Sequence, residues 1–107
     1  MEGVTREQIE QMPSSVLLEF GAKWCGYCQR AQPLISNALV KHPNVRHIKI
    51  EDGKGKRLGR QFGIKLWPSL IFLKDGKEVS RLVRPPDAEI IVQHLIELEQ
   101  QAKTDSQ

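Results

Sequence analysis

The sequence predicts an α/β protein built on a mixed sheet with helices covering both faces. Three observations lead there. Segments of strand and helix character alternate along the chain. Asp75-Gly76, a hairpin turn pair, joins the last two strands, so the sheet is not all parallel. The 107 residues suffice for one hydrophobic core, which makes the chain a single domain with its core over about residues 5–100.

Each element has a local cause. Thr5-Arg6-Glu7-Gln8 starts a short helix, because Thr5 can cap it and Gln8 can return the bond; Pro13 ends it. Val16 to Phe20 is apolar on both faces apart from Glu19, as in a doubly covered central strand. A helix then opens at Cys25 and runs to about Val40, with Leu34, Ile35, Ala38 and Leu39 as its buried stripe and Pro33 as a kink. Val45 to Ile50 alternates as a second strand, and Lys56 to Phe62 is a short helix closed by Gly63. Ser69 to Lys74 and Val79 to Val83 flank the Asp75-Gly76 turn. Asp87 caps a last helix that buries Ile90, Ile91, Leu95 and Leu98, and the polar end from 101 to 107 frays. Four strands result.

Composition excludes several classes. No apolar run approaches the roughly 20 residues that span a bilayer, so no membrane association is expected. No basic region followed by an apolar run stands at the N-terminus. That implies a cytoplasmic protein if the native chain starts at Met1, or a periplasmic one if a signal was trimmed. Net charge is +3, and its densest cluster, Lys54, Lys56, Arg57 and Arg60, is broken by glycines and Leu58. A solvated surface, not a nucleic-acid site, is expected there. Gly53 to Lys56 lacks phosphate-loop spacing and reads as a turn.

The two cysteines, Cys25 and Cys28, are separated by two residues. A disulfide closing so short a loop adds little stability, because loop-closure entropy grows with loop length. A closed zinc site needs four ligands, and His42, His47 and His94 are scattered, so neither metal nor other cofactor is expected. Redox chemistry remains. The attacking species in disulfide exchange is a thiolate, and a helix start favours negative charge. Cys25 is the expected exposed nucleophile. Cys28, three residues on and on the same helix face, is the expected shielded resolving thiol.

Trp24-Cys25-Gly26-Tyr27-Cys28 resembles the active-site motif of the thioredoxin superfamily, and the resemblance extends over about residues 14–100. Pro33 matches that family's helix proline, Trp67-Pro68-Ser69 its cis-proline segment, and Lys74-Asp75-Gly76 its hairpin. The resemblance implies a thioredoxin-like fold whose first strand is missing, since little chain precedes Thr5. It also implies a cis bond at Trp67-Pro68. There are departures. Tyr27 replaces a proline, Glu19 stands where thioredoxins carry a buried Asp, His47 falls where a Lys lies beside that acid, and Pro85-Pro86 replaces a Gly-Ala pair.

The expected activity is thiol–disulfide exchange on protein disulfides by a monomer that a reductase or other electron donor recharges. The catalytic residues would be Cys25, Cys28 and Glu19. Glu19 would be a buried proton acceptor beneath Cys28, its pKa raised by desolvation. Trp24, Gly26, Tyr27, Trp67 and Pro68 would contact substrate. Trp24 and Trp67 read equally as packing residues, and His47 as a partner of Glu19 is open. An isomerase or oxidant module, a redox-silent peptide-binding module and a metal site shared between two chains are the alternatives. A Gly-Tyr pair between the cysteines places the couple between about −260 and −190 mV, more oxidising than thioredoxin.

Overall fold

The computed structural model describes residues 4–53 and 56–105. The elements follow the order α1 (Arg6–Glu10), β1 (Ser15–Gly21), α2 (Gly26–Leu39), β2 (Arg46–Glu51), α3 (Arg57–Gln61), β3 (Ser69–Lys74), β4 (Lys77–Val83) and α4 (Ala88–Asp105). Among the described residues the sheet has four strands in the order β2-β1-β3-β4. β1 pairs parallel with β2 and antiparallel with β3, and β3 pairs antiparallel with β4. This is the expected mixed sheet flanked by helices.

β1 holds the centre because both of its faces are apolar. Val16, Leu18 and Phe20 pack with Ile9, Leu58 and Phe62 on one side of the sheet. Leu17 points the other way, into a second cluster with Ala31, Ile35, Leu70 and Leu95. Alternation along an extended chain sends successive residues to opposite faces. Glu19 therefore shares the face of Leu17, beneath α2.

The local signals act as expected. Thr5 Oγ1 accepts from Gln8 N at 3.1 Å while Gln8 Oε1 accepts from Thr5 N at 2.9 Å, a closed capping box. Asp75 and Gly76 have φ of 50° and 81°, which gives the tight turn its twist. Gly76 also faces the Glu10 carbonyl, with no room for a Cβ. Asp87 Oδ1 accepts from Ile90 N at 3.0 Å at the start of α4. One boundary differs: α4 continues to Asp105, because Gln100 to Lys103 contains no Gly or Pro to stop it. Residues 106 and 107, Lys54-Gly55 of the expected turn, and Met1 to Gly3, where a first strand would begin, lie outside the described residues.

Candidate active site

The site forms where β1 ends and α2 begins. Cys25 N donates to Ala22 O at 3.1 Å, closing the turn out of the strand. Cys25 is then the N-cap of α2, with φ −84° and ψ 120°. An N-cap side chain accepts from the free N–H groups of the first turn. Here the acceptor is sulfur: Cys28 N donates to Cys25 Sγ at 3.2 Å. Both thiols are free.

Residue exposure is alike for the two, 7% for Cys25 and 6% for Cys28, so the expected exposed nucleophile is itself largely covered, while the Cys28 sulfur lies deeper, as expected of the shielded partner. Electrostatics separates them further. Burial alone would raise the Cys25 pKa, but hydrogen bonds from the Cys28 thiol and from the Cys28 and Tyr27 amides, with the charge of Arg84, hold it below the ordinary thiol value. Burial pushes Cys28 up to about 12, reinforced by the hydrogen bond to Cys25 and by the charges of Cys25 and Glu19. The Tyr27 amide is the group a proline would lack.

Glu19 lies beneath this pair and is 4% exposed. Its expected raised pKa is overturned. Desolvation does act upward. Hydrogen bonds from His47 and Gln32, with the charges of His47 and Lys49, act downward and win, so the carboxyl titrates below its ordinary value. His47 Nε2 lies 2.8 Å from Glu19 Oε1. Gln32 Nε2 donates to Glu19 Oε2 at 2.6 Å and to the Cys28 carbonyl at 3.1 Å. A cavity of about 310 Å³, lined in part by Glu19, Gly21, Cys28, Gln32 and Lys49, joins carboxylate to sulfur. Gly21 admits that sulfur, because a Cβ there would stand 2.7 Å from Cys28 Sγ.

On the other side of the cysteines is an aromatic face. Trp67-Pro68 is cis. Trp67 meets Trp24 edge to face with centroids 5.2 Å apart, and Trp24 is 69% exposed. Trp67 Nε1 donates to Asp52 Oδ2 at 2.9 Å, while Asp52 Oδ1 is buried without a partner among the described residues. Gly26 and Tyr27 are exposed on the first turn of α2, and Pro68 is buried. Arg84, in the left-handed region at φ 51°, places its guanidinium 3.8 Å from the Tyr27 ring centroid. All eight expected residues, Cys25, Cys28, Glu19, Trp24, Gly26, Tyr27, Trp67 and Pro68, thus lie at this end of the sheet.

Gln32, Arg84, Asp52 and Gly21 were not anticipated. Gln32 follows Cys28 by four residues, and that helical spacing could have found it. Arg84 and Asp52 reach the site only through the fold, and no local signal marks them.

Residues 4–97 match the sequence model of the family described as Thioredoxin. The chain is 44% identical to thioredoxin 2 of Pseudomonas aeruginosa in its reduced form; the TM-score is 0.84, and 94% of this chain and 93% of that one are covered. It is 38% identical over 77 residues to a thioredoxin of Chlamydia muridarum, covering 72% of this chain and 76% of that protein. With an H-type thioredoxin of Nicotiana tabacum the identity is 33% over 82 residues, and the match spans 65% of that protein, a little under two thirds of its length. With its sheet, its cis-proline and its Cys25–Cys28 pair at the active-site position, the chain belongs to the thioredoxin family and carries a thiol–disulfide oxidoreductase site.

Proposed function

We propose that the protein reduces disulfides of protein substrates, with Cys25 attacking and Cys28 resolving. The observation that carries this reading is the place of Cys25 at the start of α2, where Cys28 N donates to its Sγ at 3.2 Å. The amides there favour the Cys25 thiolate, while burial pushes the Cys28 thiol up. Cys25 Sγ attacks one substrate sulfur, and the other sulfur leaves as a thiolate that takes up a proton. Cys28 then loses its proton and attacks Cys25 Sγ. The second substrate sulfur leaves, and two electrons remain in the substrate as two thiols. The Cys25–Cys28 disulfide is returned to the dithiol by an electron donor, for which a reductase is the natural partner.

Glu19 acts as a positioned acceptor for the Cys28 proton. Being ionised at neutral pH, it is a ready but weak base, so transfer is drawn forward by the forming sulfur–sulfur bond. The cavity between the two groups is large enough to admit water as a relay. Trp24, Gly26, Tyr27, Trp67 and Pro68 form the surface against which a substrate segment lies. No helix among the described residues is long and apolar enough to cross a membrane. In a compartment poised at about −300 mV, a couple anywhere between about −260 and −190 mV rests largely reduced, which fits a cytoplasmic reductant.

The test is insulin-disulfide reduction driven by dithiothreitol, combined with glutathione titration of the Cys25/Cys28 couple. Turnover that vanishes in Cys25→Ser and a potential between about −260 and −190 mV are expected. A potential above roughly −150 mV marks an oxidant instead.

A further inference from the structure

We propose that Arg84, with Arg30 beside it, makes the substrate face selective for disulfides flanked by acidic residues. This rests on the disulfide-reductase reading above and names the substrate class of that same site.

Arg84 is held from three sides. Its backbone N donates to Pro68 O at 3.0 Å, and its Nε donates to Trp67 O at 2.8 Å. Its guanidinium stacks on Tyr27, and Arg30 approaches the same ring at 4.8 Å from the centroid. Among the described residues only Nε is committed to a hydrogen bond, so the two terminal NH₂ groups keep their donors available. Neither arginine has an ion-pair partner among the described residues.

The placement is specific. The positive charge of Arg84 reaches Cys25, whose thiolate it favours. The surrounding surface is apolar and exposed at Trp24, Leu66 and Val83, which gives contact area but no choice of charge. An acidic substrate approaching a thiolate meets repulsion. The anchored Arg84 guanidinium, with the exposed Arg30 beside it, offsets it and can bind a carboxylate through two parallel hydrogen bonds. Arg84 also occupies a left-handed backbone position that glycine would hold without strain. A side chain kept there is one whose head group is used.

The experiment uses the reduced full chain and three disulfide-linked peptides that differ only in the residue after cysteine: Asp, Asn or Lys. Second-order reduction rates are read by quenched flow at low salt and at about 0.5 M salt, where surface charge is screened. The expected order is Asp, then Asn, then Lys, with Asp favoured over Asn about fivefold and the preference shrinking in high salt. Arg84→Gln should abolish most of the preference, and Arg84→Lys should keep part of it. Arg84→Gly, which relieves the backbone, tests the same loss should the glutamine variant fold poorly. A role of Arg84 in loop packing alone predicts slower reduction of all three peptides in fixed ratio. That outcome, or equal rates for the three peptides in the unaltered protein, would overturn the preference and leave the reductase reading intact. Failure to reduce any peptide would overturn both.

Discussion

His47 and Glu19 face each other across β1 and β2, with Nε2 and Oε1 2.8 Å apart, although 28 residues separate them in sequence. The parallel register pairs Leu17 with His47 and Glu19 with Lys49, so the two side chains are diagonal neighbours on one face of the sheet. The buried carboxylate thus has a partner on each oxygen, His47 on one and Gln32 on the other. Its chemistry follows from those partners more than from its burial.

A stability effect follows. Glu19 titrates below its ordinary value of 4.5 in the folded protein. A depressed carboxylate stabilises the fold above the unfolded pKa, and that contribution is lost as pH falls through the folded pKa. Glu19→Gln should therefore destabilise the protein at pH 7 by about 1–2 kcal/mol, and the gap should narrow as pH falls below the ordinary carboxylate value of 4.5. Urea unfolding of both proteins at the two pH values measures it. Equal stability at pH 7 would show that His47 and Gln32 do not stabilise the fold through Glu19.

The two thiols should differ in reactivity despite their similar exposure. Cys28 is held near 12 while Cys25 lies below 9.0. Alkylation of the reduced protein at pH 7 should label Cys25 at least about tenfold faster, since only thiolate reacts. Mass mapping of early time points gives the order. Cys28→Ser should accumulate mixed disulfides, and Cys25→Ser should form none.

Tyr27→Pro removes an amide that supports the Cys25 thiolate. The Cys25 pKa should rise and the reduced form lose stability. The potential should fall by about 10–30 mV, towards the −270 mV of thioredoxin. Glutathione titration of the variant beside the parent reads the change, and a rise in potential would refute the role of that amide.

Gly21→Ala probes the approach of strand to sulfur. The new Cβ would lie 2.7 Å from Cys28 Sγ, so the sulfur or the helix must move. A cost of about 1–3 kcal/mol is expected. Displacement of Cys28 should slow the resolving step more than the attack by Cys25, seen as a longer-lived mixed disulfide in single turnover. Unchanged stability and lifetime would show that the site yields without loss.

The sequence by itself determined everything whose cause is local. The order of the elements, the Thr5–Gln8 capping box and the Asp75-Gly76 turn each depend on neighbours within four residues. So does the placing of Cys25 at a helix start with Cys28 one turn on. Backbone sterics and hydrogen bonding act over that range. The cis bond at Trp67-Pro68 and the family followed from resemblance to a known motif, which single-residue physics does not provide. Only the tertiary structure decided the electrostatics. The apolar residues around Glu19 pointed to desolvation and a raised pKa, and desolvation is indeed its largest single influence. The sign was reversed by His47 from the neighbouring strand and Gln32 from the helix above. Arg84 likewise meets Tyr27 across 57 positions of chain, brought there by β4. Coulomb and hydrogen-bond energies depend on distance through space, and the sheet register and helix packing set those distances.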